Sequence, residues 1–256
     1  GAAGIAAARG AVRAGAEHVV LVDGGAGATE LSCGWLRGAH EVPAWARSQG
    51  LVTALQTAEG GQGLLRYATG AGLVQEARGG VASLLNLREL DGREGALAVV
   101  DLVVGTAWSA RMVARSLGEI LGRETVVLGP DPIDAVPRGA SAAVVARVLD
   151  TPGMVDALAA SLRSRVREGS VCAVLFPPVL GLAREDVAAR LRGLLGVPVG
   201  EVGGGVGDPP SFRLARALER GVPEGVERVR GRGTVTLAND DVRAEVRVGG
   251  RVFEPD

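Results

Sequence analysis

The fold turns on the first 23 residues, Gly1–Asp23, GAAGIAAARGAVRAGAEHVVLVD. Gly4 to Ala16 predicts a helix, with Ile5, Ala8 and Val12 recurring on one face at helical spacing. Val19 to Val22 is a short apolar run ending in Asp23, the pattern of a strand buried on both faces of a parallel sheet. In a dinucleotide fold the first fingerprint glycine makes a tight turn after the opening strand. The second admits a pyrophosphate, and the third lets helix and strand pack closely. Gly1 and Gly4 have the spacing of the second and third, and Ala8 and Gly15 fall where the longer pattern wants small residues. Asp23, nineteen residues after Gly4, stands where an acid accepts ribose hydroxyls. A pyrophosphate would lie on the exposed N–H groups of Gly1, Ala2, Ala3 and Gly4 at the helix start. The same residues also suit a plain amphipathic helix and strand.

Composition narrows the chemistry. The 256 residues are 47% hydrophobic with a formal net charge of -1, and hold no apolar run of bilayer-spanning length. That is enough chain for one large domain or two smaller ones. The near-neutral charge gives no electrostatic footprint for nucleic acid. All 28 basic residues are arginine, which excludes lysine Schiff-base chemistry and a P-loop lysine. Cys33 and Cys172 are far apart, and His18 and His40 are the only histidines, so no metal site is expected.

Further along, apolar runs alternate with helical periodicity. Buried strands are expected at 101–105, 125–129, 171–176 and 197–202. Helices are expected at Ser109 to Leu121, at Ser141 to Arg167 with a break at Thr151-Pro152-Gly153, and at Arg184 to Leu195. Asp208 as N-cap and Pro209 as first residue open another helix. Residues 41 to 95 are weakly patterned, and short helices are expected there. The end changes to period-two alternation, with Gly249-Gly250 as a hairpin turn. This order predicts a parallel sheet covered on both sides, followed by an antiparallel element.

A glycine-rich loop, GGAGATELSCGWL, comes directly after Asp23. Here the sequence resembles flavoproteins of the fumarate reductase and succinate dehydrogenase superfamily. More closely, GAGATELSCGWL (25–36) is similar to the small-residue loop of the B-subunit family of anaerobic glycerol-3-phosphate dehydrogenases. The resemblance continues through the paired helices of GASAAVVARVLDTPGMVDALAASLR (139–163) and the strand, loop, helix and strand of CAVLFPPVLGLAREDVAARLRGLLGVPVGEV (172–202). It also covers the helix start DPPSFRLARALER (208–220) and the strand and hairpin of 225–252. The combinations at Leu175–Ala183 and Pro209–Ser211 are its most particular parts, and residues 41 to 95 match poorly.

The resemblance implies an α/β protein with an incomplete Rossmann-like FAD-binding domain, a large inserted α/β region and a C-terminal β-hairpin. Residues 1–40 and 226–256 would form the FAD-binding domain around an inserted region at 41–225. Against the family pattern the chain is expected to be a fragment, lacking the opening strand and the return segment after Phe253. The implied cofactor is FAD, with Gly24 and the Ser32-Cys33-Gly34 loop running toward the flavin. The implied activity is FAD-dependent oxidation of glycerol 3-phosphate or a similar hydroxy compound, with electrons passed toward quinone. Partner subunits of a membrane-associated dehydrogenase complex follow from this, as does a cytoplasmic location at the inner face of the membrane. A flavoprotein-like subunit without chemistry, serving binding or assembly, is the other reading.

Other residues weigh less. Cys33 reads as a small residue in a tight loop, and Cys172 as core. His18 sits at a helix–strand junction that favours a solvated or capping role. Arg111 follows a strand end where ligands of open α/β sheets gather. It either grips an anionic substrate bidentately or is a solvated helix arginine. No residue is nominated as catalytic acid, base or nucleophile.

Overall fold

The structure is a computed structural model that describes residues 2–23, 33–36, 55–57, 64–102, 108–131, 136, 139–205, 207–231, 233–237, 244–248 and 250–253. Gly1, Gly24, Ser32 and His40 of the sequence reading lie outside the described residues. The protein is mixed α/β, with parallel strands and, among the described residues, six α-helices.

In chain order, α1 (Ala2–Arg13) leads to β1 (Val20–Asp23). Short strands follow at β2 (Trp35–Leu36), β3 (Leu55–Thr57), β4 (Leu65–Ala68), β5 (Val74–Ala77) and β6 (Gly79–Val81), and then a 3₁₀ turn at Leu87–Leu90. The central region alternates β7 (Ala96–Val100), α2 (Ala110–Leu121), β8 (Thr125–Leu128), α3 (Ala142–Leu149) and α4 (Met154–Glu168). It continues through β9 (Val171–Phe176), α5 (Val187–Leu195), β10 (Val199–Glu201) and α6 (Pro209–Glu219). The strands β11 (Glu227–Arg230), β12 (Gly233–Leu237), β13 (Ala244–Val248) and β14 (Arg251–Phe253) follow.

Four parallel strands in the order β10-β9-β7-β8 form the main sheet. Alternation within each strand explains why they read as continuous apolar runs. Leu97 and Val99 of β7, with Ala173 and Leu175 of β9, pack against Val113 and Leu117 of α2 and Leu90 of the 3₁₀ turn. Ala98 and Val100, with Val174 and Phe176, face Leu158 and Leu162 of α4 and Leu191 of α5. Both faces are thus covered, as parallel sheets require.

Two helix ends follow their sequence signals. Ser109 caps α2 by accepting from the N–H of Met112, and Asp208 stands at the N-cap of α6 with Pro209 and Pro210 at its start. Gly15 after α1 takes φ +88, and Ala16 N–H donates to Ala11 O at 3.0 Å to close the helix end.

Three expectations need correction. Of the strand expected at 101–105, residues 101–102 lie outside any strand and 103–105 lie outside the described residues, while the apolar segment just before, Ala96–Val100, forms β7. GALAVVDLVVG is one apolar run split by Asp101, and the segment before that exposed acid enters the sheet. The short helices expected within 41–95 are replaced, among the described residues, by strands and one 3₁₀ turn. Thr69-Gly70-Ala71-Gly72 reverses the chain between β4 and β5, with Gly72 N–H donating to Thr69 O at 2.9 Å. Lastly, β1 is half-buried along its length rather than fully buried. Among the described strands it pairs only with β11, in parallel register from Val20↔Glu227 to Asp23↔Arg230.

Strand β10 touches a second layer. Its Glu201 bridges Leu84, and Gly203 just beyond it bridges Thr69, both in parallel. At Gly200 an added Cβ would come within 2.7 Å of Leu85 Cα, where backbone leaves nothing soft to yield. Gly200→Ala should therefore destabilise by about 1–3 kcal/mol, or more if β10 separates from the Leu85 segment. Urea denaturation of the variant against wild type measures it.

Candidate functional site

The α1–β1 unit at the start of the chain is closely packed through its small residues. Gly4 of α1 faces β1 so closely that a Cβ would lie 3.2 Å from Leu21 Cδ1, the close helix–strand approach a fingerprint glycine provides. Ile5 and Ala8 are buried on the same side, and Arg9 donates to Gly221 O at 2.6 Å, tying α1 to the end of α6. Asp23 ends β1 at its carboxyl edge, and its carbonyl accepts from Gly231 N–H at 3.0 Å. Its carboxylate lies 3.6 Å from Arg228 Nη2, and that arginine also lies 3.5 Å from Glu219. At the other end of the strand pair, Glu227 accepts from Arg251 at 2.6 Å and lies 3.1 Å from His18 Nε2. The Arg251 hydrogen bond, helped by His18, holds the Glu227 carboxyl below the ordinary carboxylate range.

The Cys33–Trp35 segment meets the start of α6. Gly34 takes φ +89, and a Cβ there would fall 2.6 Å from Pro210 Cβ, so both conformation and contact demand glycine. Its carbonyl accepts from Val81 N–H at 2.9 Å. Trp35 is buried, lies over Gly203, and stacks on Tyr67 with ring centroids 6.3 Å apart. Cys33 is half-buried against the cluster that contains Ile5 and Leu214. Two segments that the family resemblance singled out separately, the small-residue loop and the Pro-Pro-Ser helix start, are thereby neighbours.

Behind this junction is a buried ion pair. Glu201, the last residue of β10, accepts from Arg213 Nη2 of α6, and its other oxygen accepts from Leu180 N–H at 2.7 Å. Arg213 Nη2 also donates to Ser83 Oγ at 3.0 Å. The side chains are 3% exposed for Arg213 and 0% for Glu201. Burial pushes the Glu201 carboxyl above its ordinary range, against the opposing pull of Arg213 and the hydrogen bonds. Arg213 Nε and Nη1 and the Tyr67 hydroxyl are buried without a partner among the described residues. Burial also pushes the Tyr67 hydroxyl pKa up.

Sequence reasoning passed over both charges. Each had a signal: an acid closing the apolar strand of 197–202, and an arginine beside Leu214 on the face of α6 that also buries Ala217 and Leu218. A third acid, Asp150, fixes the loop beyond β9. Its carboxylate accepts from the N–H groups of Leu182, Ala183 and Arg184 at 2.9 to 3.2 Å. The Gly-Leu-Ala turn seen in the sequence is therefore wrapped around a carboxylate supplied from the end of α3.

Of the residues nominated from sequence, Gly4 and Asp23 lie on one helix–strand unit, and Cys33 and Gly34 lie where that unit's core meets α6. Arg111 is elsewhere, exposed in the first turn of α2. The described part fits a dinucleotide in two respects: the glycine-tight approach of α1 to β1, and an acid at the carboxyl end of that strand. No group of three or more His, Cys, Asp or Glu able to hold a metal occurs among the described residues. No helix among them is long and apolar enough to cross a membrane. No protein-family model, curated protein or solved structure matches the chain.

Removing one partner of a buried pair leaves an uncompensated charge, whereas removing both does not. Arg213→Met should cost about 3–5 kcal/mol, and Arg213→Met with Glu201→Leu should recover much of that loss. Thermal and urea unfolding of the single and double variants decide it. A raised folded-state carboxyl also contributes stability that is present at low pH and lost as the pH rises through the folded value. Relative to Glu201→Gln, wild type should therefore lose stability as the pH climbs above about 4.3.

Proposed function

We propose that the protein is an FAD-dependent oxidoreductase, oxidising glycerol 3-phosphate or a similar hydroxy compound and passing electrons toward quinone. The observation that carries this reading is the α1–β1 unit. Gly4 sits tight on Leu21, and Asp23 stands at the carboxyl end of β1, which pairs in parallel with β11. The family resemblance supplies the choice of flavin over nicotinamide. It also supplies the Rossmann-like identity, the division at 1–40, 41–225 and 226–256, the partner subunits and the place at the inner membrane face.

In this reading the backbone of Gly1, Ala2, Ala3 and Gly4 receives the pyrophosphate at the start of α1. Asp23 accepts the ribose hydroxyls, with Arg228 Nη2 lying 3.6 Å from its carboxylate. Gly24, Ser32, Cys33 and Gly34 line the way toward the flavin. Bound FAD supplies the hydride acceptor, so the protein's work is mainly to bind and orient. Arg111 is the residue assigned to an anionic substrate group, and its exposed guanidinium offers a planar fork for phosphate or carboxylate.

The full-length protein should purify yellow or take up added FAD, followed by quenching of flavin fluorescence. Asp23→Ala should weaken FAD by about tenfold or more, the loss of a charge-assisted hydrogen bond. Tight binding of NAD with no uptake of flavin would sink the assignment. Anaerobic glycerol 3-phosphate should bleach the bound flavin. Arg111→Ala should then raise KM for the anionic substrate by an amount equivalent to roughly 1.5–3 kcal/mol. Flavin that binds but is bleached by no small hydroxy compound would favour the binding or assembly subunit.

A further inference from the structure

An open groove of about 840 Å³ lies between α5 and the Leu87–Leu90 turn, at the amino end of β10. Glu201 and the residues around it occupy the carboxyl end of the same strand, so the groove is separate from the site above. Its volume falls within the range of small-molecule clefts. The apolar lining comes from small side chains such as Ala82, Ala188 and Ala189, with Val197 and Pro198 at one end. Three charged residues, Glu89, Arg93 and Arg192, complete it.

Those three charges are organised around Glu89. Its carboxylate lies 3.2 Å from Arg192 Nη1 and accepts from Nη2 at 3.3 Å. Arg192 Nη2 also donates to Val199 O at 3.2 Å. The backbone carbonyl of Glu89 accepts from Arg93 Nε at 2.8 Å. Arg93's own carbonyl accepts from Arg123 at 2.8 Å, which anchors its backbone. Arg93 is therefore held by Nε at a lining position, and its terminal nitrogens have no acceptor among the described residues. The carboxylate of Glu89 is spent on Arg192, so the unmet capacity of the groove is for hydrogen-bond acceptors with negative charge. A planar guanidinium fork suits a carboxylate or phosphate.

A second observation comes from Gly193. It lies in the interior of α5, where glycine destabilises a helix relative to alanine. No neighbouring atom explains it, because an added Cβ would have nothing within 4 Å. Gly193 is exposed and is itself one of the residues that line the groove. Packing does not require glycine there, and its place in the lining keeps that stretch of the groove wall free of a side chain.

We infer that this groove binds a small organic anion, its carboxylate or phosphate on Arg93 and its apolar body along the small residues of α5. Isothermal titration of the full-length protein with sodium benzoate and with inorganic phosphate tests it, each against sodium chloride at equal ionic strength. Saturable binding of benzoate, of phosphate or of both is expected, and the probe that binds identifies the acid group. Arg93→Gln should weaken binding by about tenfold to a hundredfold, the effect of one charge-assisted bond. Gly193→Leu should block the groove while the helix signal and melting temperature hold or rise. Absence of saturable binding by either probe, or full affinity retained in either variant, overturns the inference.

Discussion

The pairing of Glu201 with Arg213 is the constraint around which the rest of the molecule is arranged. It gathers four segments that are remote in sequence: the end of β10, the loop after β6 at Ser83, the loop after β9 at Leu180, and helix α6. Desolvating two charges costs several kcal/mol per ion even after relaxation, so the pair is a poor source of stability compared with an apolar filling. Its effect lies in what it forbids. Any arrangement that slides α6 along the sheet, or lifts the Leu180 loop, strands a charge in a dry interior. Arg213 keeps buried Nε and Nη1 groups without acceptors among the described residues, so even the native arrangement leaves part of that demand unmet.

The pair sits at the seam between two kinds of sheet. On one side β10 pairs with β9 in the main parallel sheet. On the other, parallel bridges from Glu201 to Leu84 and from Gly203 to Thr69 join it to the β4–β6 region. Gly200 faces Leu85 backbone too closely for any side chain, and Trp35 covers Gly203. Close approach of backbones, rather than side-chain interdigitation, holds this seam. The cluster of Trp35, Tyr67, Leu84 and Leu214 then fills the space between the β layer, α6 and α1.

Much of the parallel sheet was legible in the sequence, because strands covered on both faces leave long apolar runs between capped helices. The runs at 125–129, 171–176 and 197–202 each contain a strand, and the Thr151-Pro152-Gly153 break separates α3 from α4. Around Asp101 only 101–105 was read as a strand, because the apolar run continues on both sides of the acid and apolarity alone did not show that Ala96–Val100 enters the sheet. The region of 64–81 was missed for a different reason. Its strands are three or four residues long, too short to establish period two, and Gly79-Gly80 inside β6 looks like a breaker. For the candidate site, Gly4 and Asp23 were nominated by spacing, and the structure places them on one helix–strand unit. Glu201 and Arg213 did not, since a buried ion pair joins residues whose proximity only the tertiary fold creates.

The absence of lysine acquires a physical meaning in the structure. Arg123 donates to the carbonyls of Leu90, Arg93 and Gly95 at 2.8 to 3.0 Å, and its Nη1 lies 3.2 Å from Cys172 Sγ. Arg9 and Arg88 likewise donate to single carbonyls, of Gly221 and Leu64. Carbonyls at the ends of turns and helices need donors, and a rigid fork reaches several at once with little further loss of side-chain freedom. An ammonium group is a compact point charge and cannot span the Leu90–Gly95 loop in this way. The exposed pairs, such as Arg115 with Glu119 and Arg190 with Asp156, contribute little in comparison, because water and salt screen them. Several arginines therefore serve this fold as clamps on backbone carbonyls. The same clamping by Arg123 fixes the backbone of Arg93, a lining residue of the groove whose Nε donates to the Glu89 carbonyl.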